Sequence, residues 1–150
     1  MNKHPSPNNS PQNVEARLRT IRTLWFALVM SVVMYYVFTL FNRADESVAP
    51  NSTLSLALIA ISLSMVFVSF FVKSKLLSRA IDQQQGLMVQ QAYIVALAIC
   101  EVPALLGMLD HFLTANRYYY VPMIIAIAGQ LLHFPRRDHV ENASFKRSTF

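Results

Sequence analysis

The chain has 150 residues, of which 54% are hydrophobic and 14% charged, with a formal net charge of +5. A soluble domain carries about a quarter charged residues, so this chain has too few polar side chains to cover a water-exposed surface. The excess positive charge flanks apolar runs, which argues for membrane orientation and against nucleic-acid binding, and the single cysteine, Cys100, rules out an intrachain disulfide or a cysteine metal cluster.

Residues 1–20 read as a basic N-terminal tail. Its first thirteen residues are rich in Pro, Asn and Ser and are expected to be disordered. No signal peptide is expected, because the first apolar run begins only near Ile21 and no small-residue cleavage site follows it. Four apolar stretches follow, at 21–41, 53–72, 90–113 and 118–134. A helix needs about 20 residues to cross about 30 Å of hydrocarbon. The first three stretches are long enough. The fourth is slightly short, with Tyr118, Tyr119, Tyr120 and Phe134 as interface anchors. Continuous apolar runs, without alternation, favour helices over strands, and lipid forbids an open sheet edge. The segment 73–89 is expected to continue the second helix before turning at Gly86. Residues 135–150 form a basic C-terminal tail.

Lys and Arg set the orientation. Lys3, Arg17, Arg19, Arg22, Lys73, Lys75, Arg79, Arg136, Arg137, Lys146 and Arg147 fall on one side of the expected spans, and only Arg43 and Arg117 on the other. The positive-inside rule therefore puts both termini in the cytoplasm. The fold expected is all-α: an antiparallel, up-down bundle of four transmembrane helices, in a cell membrane of the bacterial inner-membrane type. Trp25, Phe70 and Phe71 fall near the inner interface.

Two small-residue patterns suit close helix packing. Ala92, Ala96, Cys100 and Ala104 recur every four residues on the third span, with Gly107 beyond them, and Ser55, Ser62 and Ser69 recur every seven on the second. In lipid, where apolar burial gives no advantage, small residues let helix backbones approach.

Glu101 is the unusual residue. It lies about 11 residues into the third span, which at 1.5 Å per residue is about 16 Å deep. An ionised carboxylate there costs about 3 kcal/mol or more. No Lys or Arg lies at similar depth, so a neutral carboxyl is expected. Gln130 on the fourth span is the preferred hydrogen-bond partner, with Tyr35, Tyr36, Ser62 and Ser64 as alternatives. A proton or ion site and a structural clasp both fit. Pro103 removes the hydrogen bond to the Ile99 carbonyl and loosens the helix beside Glu101.

The segment from Ala98 to Leu109, Ala-Ile-Cys-Glu-Val-Pro-Ala-Leu-Leu-Gly-Met-Leu, resembles the carboxylate helix of the c subunit, or proteolipid, of rotary ATPases. That family has an apolar run, a Glu and a Gly six residues later, as Glu101 and Gly107 stand here. Arg79, Gln83, Gln84, Gln85 and Gly86 are similar to its polar cytoplasmic loop. The resemblance covers at most about residues 54–113. It implies that Glu101 carries a transported proton or sodium ion. The family's glycine repeat is absent from 53–72, and the first and fourth spans have no proteolipid counterpart.

Other sites are excluded by placement. His111 and His133 fall at opposite membrane faces, so no haem bridges them, and no cofactor is expected. Asp110 and His111 are adjacent, too few for a metal site, and read as interface residues. No phosphate loop or nucleophile elbow is present. Arg136, Arg137, Lys73 and Lys75 are candidates for contact with anionic headgroups or a partner. The functional expectation is a non-enzymatic accessory or assembly component of a membrane complex, whose partners are the bilayer and other membrane helices in a homo- or hetero-oligomer. The alternative is a proteolipid-like proton- or sodium-binding protein using Glu101.

Overall fold

A computed structural model describes residues 11–42, 51–83, 85–114 and 116–144. The tail residues 1–10 and 145–150, with Lys3, Lys146 and Arg147, lie outside the described residues, as do Arg43 and Gln84. The protein is all-helical: α1 (Pro11–Phe41), α2 (Ser52–Asp82), α3 (Gly86–Thr114), α4 (Tyr120–Leu132) and α5 (Arg137–Ser144). Three helices are long and apolar enough to cross a membrane, over Val14–Phe41, Ser52–Asp82 and Gly86–Thr114. A helix satisfies its own backbone polar groups, which is why continuous apolar sequence takes this form in lipid.

Local chemistry sets the boundaries. The Asn51 side chain accepts from the Leu54 N–H at 3.0 Å and caps α2. At the other end of α2, the Gln83 N–H donates to the Arg79 carbonyl and the Gln85 N–H to the Ala80 carbonyl, both at 3.0 Å, so the chain turns tightly into α3. The expected continuation of the second helix thus runs to Asp82, and α3 begins at Gly86. Pro122 sits in the first turn of α4, where its missing N–H costs little. Pro135 follows the end of α4 and prevents its continuation.

The two tails depart from expectation. Residues 11–20 are not a disordered tail but the start of α1, and 137–144 of the C-terminal tail form α5. Val14, Leu18 and Ile21 share one face of α1 and are buried with Ala80, Val89, Tyr93, Val140 and Ala143. The i, i+4, i+7 spacing of the first three is an amphipathic stripe. Polar neighbours mask it in a composition reading, yet it finds cover where α2 turns into α3. Tyr93 ties α5 down: its hydroxyl stands 2.7 Å from His139 Nδ1 and accepts from the Arg136 N–H at 3.1 Å.

Helix α3 is the hub, packing on α2, α4, α1 and α5. Ala92, Ala96, Cys100 and Ala104 have no exposed surface. The face is small enough for very close approach. A Cβ added at Gly107 would stand 2.8 Å from the Tyr119 carbonyl oxygen and 2.9 Å from Met123 Cγ. At Gly129 the nearest atoms are side chains, Val66 Cγ2 at 3.1 Å and Cys100 Sγ at 3.2 Å.

Gly107→Ala is expected to lower the thermal stability of the detergent-purified protein. Forcing α4 backbone away costs about 1–3 kcal/mol, more than the ~1 kcal/mol gained from helix propensity. Gly129→Ala should be close to neutral, and a melting comparison of the two variants checks this. Separately, burial and the nearby Lys73 and Arg136 charges push His139 below its ordinary value of 6.5. The folded chain then binds fewer protons than the unfolded chain, so the docking of α5 is fully stable above pH 6.5 and weakens as pH falls below it. Melting temperature measured against pH should fall on acidification through that window, and His139→Gln should flatten the fall.

Candidate functional site

Glu101 forms a clasp between α3 and α1. Its Oε1 lies 2.6 Å from Ser31 Oγ and 2.9 Å from the Tyr35 hydroxyl. Ser31 and Tyr35 are four residues apart on α1 and present two hydroxyls on one face. Ser31 Oγ is also 2.8 Å from the Leu28 carbonyl. A hydroxyl has one hydrogen, so it cannot donate fully to both acceptors. The Ser31 hydrogen goes to Oε1 or to the Leu28 carbonyl, and the Tyr35 hydroxyl donates to Oε1. Both hydroxyl hydrogens then have an acceptor. Glu101, Ser31 and Tyr35 are all half-buried, so the clasp lies at an edge of the packed helices. Pro103, two residues on, is inside α3 and buried.

The preferred partner from sequence is not the one found. Gln130 is fully buried but does not bond Glu101: its side-chain Oε1 and Nε2 have no partner, and only its backbone carbonyl is engaged, by Trp25 Nε1 at 2.7 Å. Ser62 is also buried, and its hydroxyl donates to the Leu58 carbonyl of its own helix. Ser64 donates to Ala60 in the same way. Of the candidate partners, only Tyr35 joins Glu101. Ser31, which it had missed, joins as well. The signal was present as the i, i+4 pair Ser31–Tyr35 in a run otherwise apolar at that depth.

A second polar group lies where α2, α3 and the end of α4 meet. Ser69 Oγ donates to the Val66 carbonyl at 2.6 Å, accepts from Cys100 Sγ at 3.1 Å, and stands 2.8 Å from His133 Nε2. His133 therefore donates from Nε2, which leaves Nδ1 as a buried acceptor without a partner. Phe70 covers the ring at 4.3 Å. Cys100 is a packing residue in this group, with its thiol hydrogen engaged.

A third group corrects the reading of Asp110 as an interface residue. Asp110 is fully buried. Its Oδ1 accepts from Ser55 Oγ and from Thr114 Oγ1, both at 2.7 Å. The cause is tertiary, since Ser55 opens α2 and Asp110 lies near the end of α3, so close packing of the two helices turns the carboxylate inward. His111 instead reaches out to α1, with Nε2 2.7 Å from the Asn42 carbonyl.

The basic candidates separate. Lys73 is turned inward, its Nζ 4.2 Å from the Tyr93 ring centroid, and is almost fully buried. Lys75 lies over Phe71 and is exposed. Arg137 pairs with Glu141 at 2.6 Å, which holds its guanidinium above the usual value. Arg136 is exposed. Among the described residues, no three His, Cys, Asp or Glu side chains gather as metal ligands.

No family model matches the chain, and no curated protein or solved structure gives a significant match.

Replacing Glu101 tests the clasp directly. Glu101→Gln should keep near-wild-type accumulation and melting temperature, because an amide can donate to Ser31 and accept from Tyr35 as a neutral carboxyl does. Glu101→Ala should lose about 1–2 kcal/mol, the scale of hydrogen bonds between membrane helices. Poor insertion of the Gln variant would instead mean that the clasp requires a charge.

Proposed function

We propose that the chain is a four-span membrane protein whose helices run up and down, with α4 as the short fourth span and both termini in the cytoplasm of a bacterial-type inner membrane. Eleven of thirteen Lys and Arg residues on one side support that orientation. Helix α4, with 13 residues, rises about 20 Å, short of the hydrocarbon thickness. The Tyr118 to Tyr120 run before it and Phe134 after it supply the amphipathic ends that make up the difference.

Its role is that of a non-enzymatic accessory or assembly component of a larger membrane complex. The observation that carries this reading is the engagement of Glu101 inside its own chain. The carboxyl that most invites chemistry is held by Ser31 and Tyr35 of α1. It therefore fastens the peripheral helix α1 to the hub. What remains on the outer faces is large and apolar, with Phe26, Met34, Phe41, Leu56, Phe67 and Phe71 exposed to lipid or to helices of other subunits.

A second reading is favoured by one specific feature. Glu101 is only half-buried at the edge of the packed helices, so a proteolipid-like proton or sodium site at the clasp fits the same geometry.

Two measurements decide between them. Gentle solubilisation from native membranes should recover the protein with unlike subunits. Recovery as a stable homo-ring, in which a carbodiimide modifies Glu101 and sodium protects it, would replace the accessory reading with the second. The topology is checked in a Cys100→Ala background with an impermeant maleimide. Ser47→Cys should label from outside and Ser148→Cys only after the membrane is opened.

A further inference from the structure

The Asp110 group is not explained by the clasp. Asp110 is fully buried, and its Oδ2 has no hydrogen-bond partner while Oδ1 has two. A buried carboxylate left half-satisfied is unfavourable. With or without a proton, Oδ2 is left without a partner in the protein. No cation compensates it either: among the described residues the one salt bridge is Arg137–Glu141, on α5.

The side chains hydrogen-bonded around Asp110 are neutral hydroxyls. Ser55 Oγ and Thr114 Oγ1 stand 3.2 Å apart, both on the Asp110 carboxylate. Asn116 is 7% exposed. Its N–H donates to Thr114 Oγ1 at 3.2 Å and its Oδ1 accepts from the Tyr118 N–H at 3.2 Å, which leaves that carbonyl a second lone pair. The last carbonyls of α3 lie here too; helix ends leave such oxygens without helical partners and carry partial negative charge. A cavity of about 230 Å³ lined by Ser52, Ser55, Leu56, Ile59, Asn116 and Tyr118 reaches two of the same residues.

We propose that Asp110, Ser55, Thr114 and Asn116 bind one monovalent alkali cation where α2 begins and α3 ends. The cation is taken up by Oδ2 and the neighbouring hydroxyl and carbonyl oxygens, and the cavity borders two of the four residues, Ser55 and Asn116. The charge count selects the valence. One carboxylate among neutral oxygens balances a single positive charge, whereas a divalent ion would leave net positive charge buried. Hard oxygen donors and the absence of sulfur or imidazole suit an alkali ion over a transition metal. By joining the first turn of α2 to the last turn of α3, the ion completes the seam at that end. The site is separate from Glu101 and stands whether or not the accessory reading does.

The test is thermal unfolding of the full chain in detergent at constant ionic strength, with sodium or potassium chloride replacing N-methylglucamine chloride. A saturable rise in melting temperature with one of the alkali ions is expected. It should vanish in Asp110→Asn, persist in Glu101→Gln, and show a roughly tenfold weaker midpoint, about 1.4 kcal/mol, in Thr114→Val. A flat response in the wild-type chain overturns the proposal, and so does an undiminished rise in Asp110→Asn. If Asp110→Asn does not accumulate, an unchanged midpoint in both Thr114→Val and Ser55→Ala overturns it equally.

Discussion

Close backbone approach along the small face of α3 is the constraint on which the rest of the structure depends. Association in lipid gains nothing from hiding apolar surface, so helices hold together by contact density and by hydrogen bonds. Ala92, Ala96, Cys100, Ala104 and Gly107 remove the bulk that would otherwise separate α3 from its neighbours. Gly107 takes this furthest, with the Tyr119 carbonyl oxygen 2.8 Å from where a Cβ would stand. That contact fixes α4 against α3, and α4 in turn supplies Met123 and Ala126 to the buried interior.

Once the backbones are this close, short polar side chains can reach between helices. Ser55 meets Asp110, and Ser69 meets Cys100 and His133. Longer spacing would leave these hydroxyls bonded only to their own helices, as Ser62 and Ser64 are. The polar groups thus fall in separate layers along the seam, and each layer joins different helices. Glu101 joins α3 to α1, Asp110 joins α3 to α2, and Ser69 joins α2 to α3 and the end of α4. A polar clasp specifies register, because sliding a helix by one residue would strand a buried polar atom.

The cluster formed by the start of α1, the α2–α3 turn and α5 follows a different rule. Val14, Leu18, Ile21, Val140 and Ala143 come from stretches rich in polar neighbours, yet they are buried together as in a small soluble core. Tyr93 bridges the two regimes. Its ring takes the Lys73 ammonium on one side, and its hydroxyl holds Arg136 and His139. A lysine that would otherwise reach for headgroups is thereby kept inside the fold.

The sequence by itself determined the helical class and the three long apolar helices, because continuous apolar runs and the backbone's need for hydrogen bonds leave lipid-borne sequence little choice. It also marked the small-residue face of α3 and singled out Glu101, since both are signals within one helix. Only the tertiary structure decided what those features meet. Depth made Gln130 the preferred partner and Tyr35 an alternative, and the azimuth of each helix chose Tyr35 with Ser31. Asp110 looked like an interface residue because its partner, Ser55, is distant in sequence. The stripe on 11–21 and the helix at 137–144 looked like tails because neither buries anything until the other elements are in place. Depth and periodicity are local properties, readable along the chain, whereas a helix's rotation about its axis is set by the neighbours it packs against.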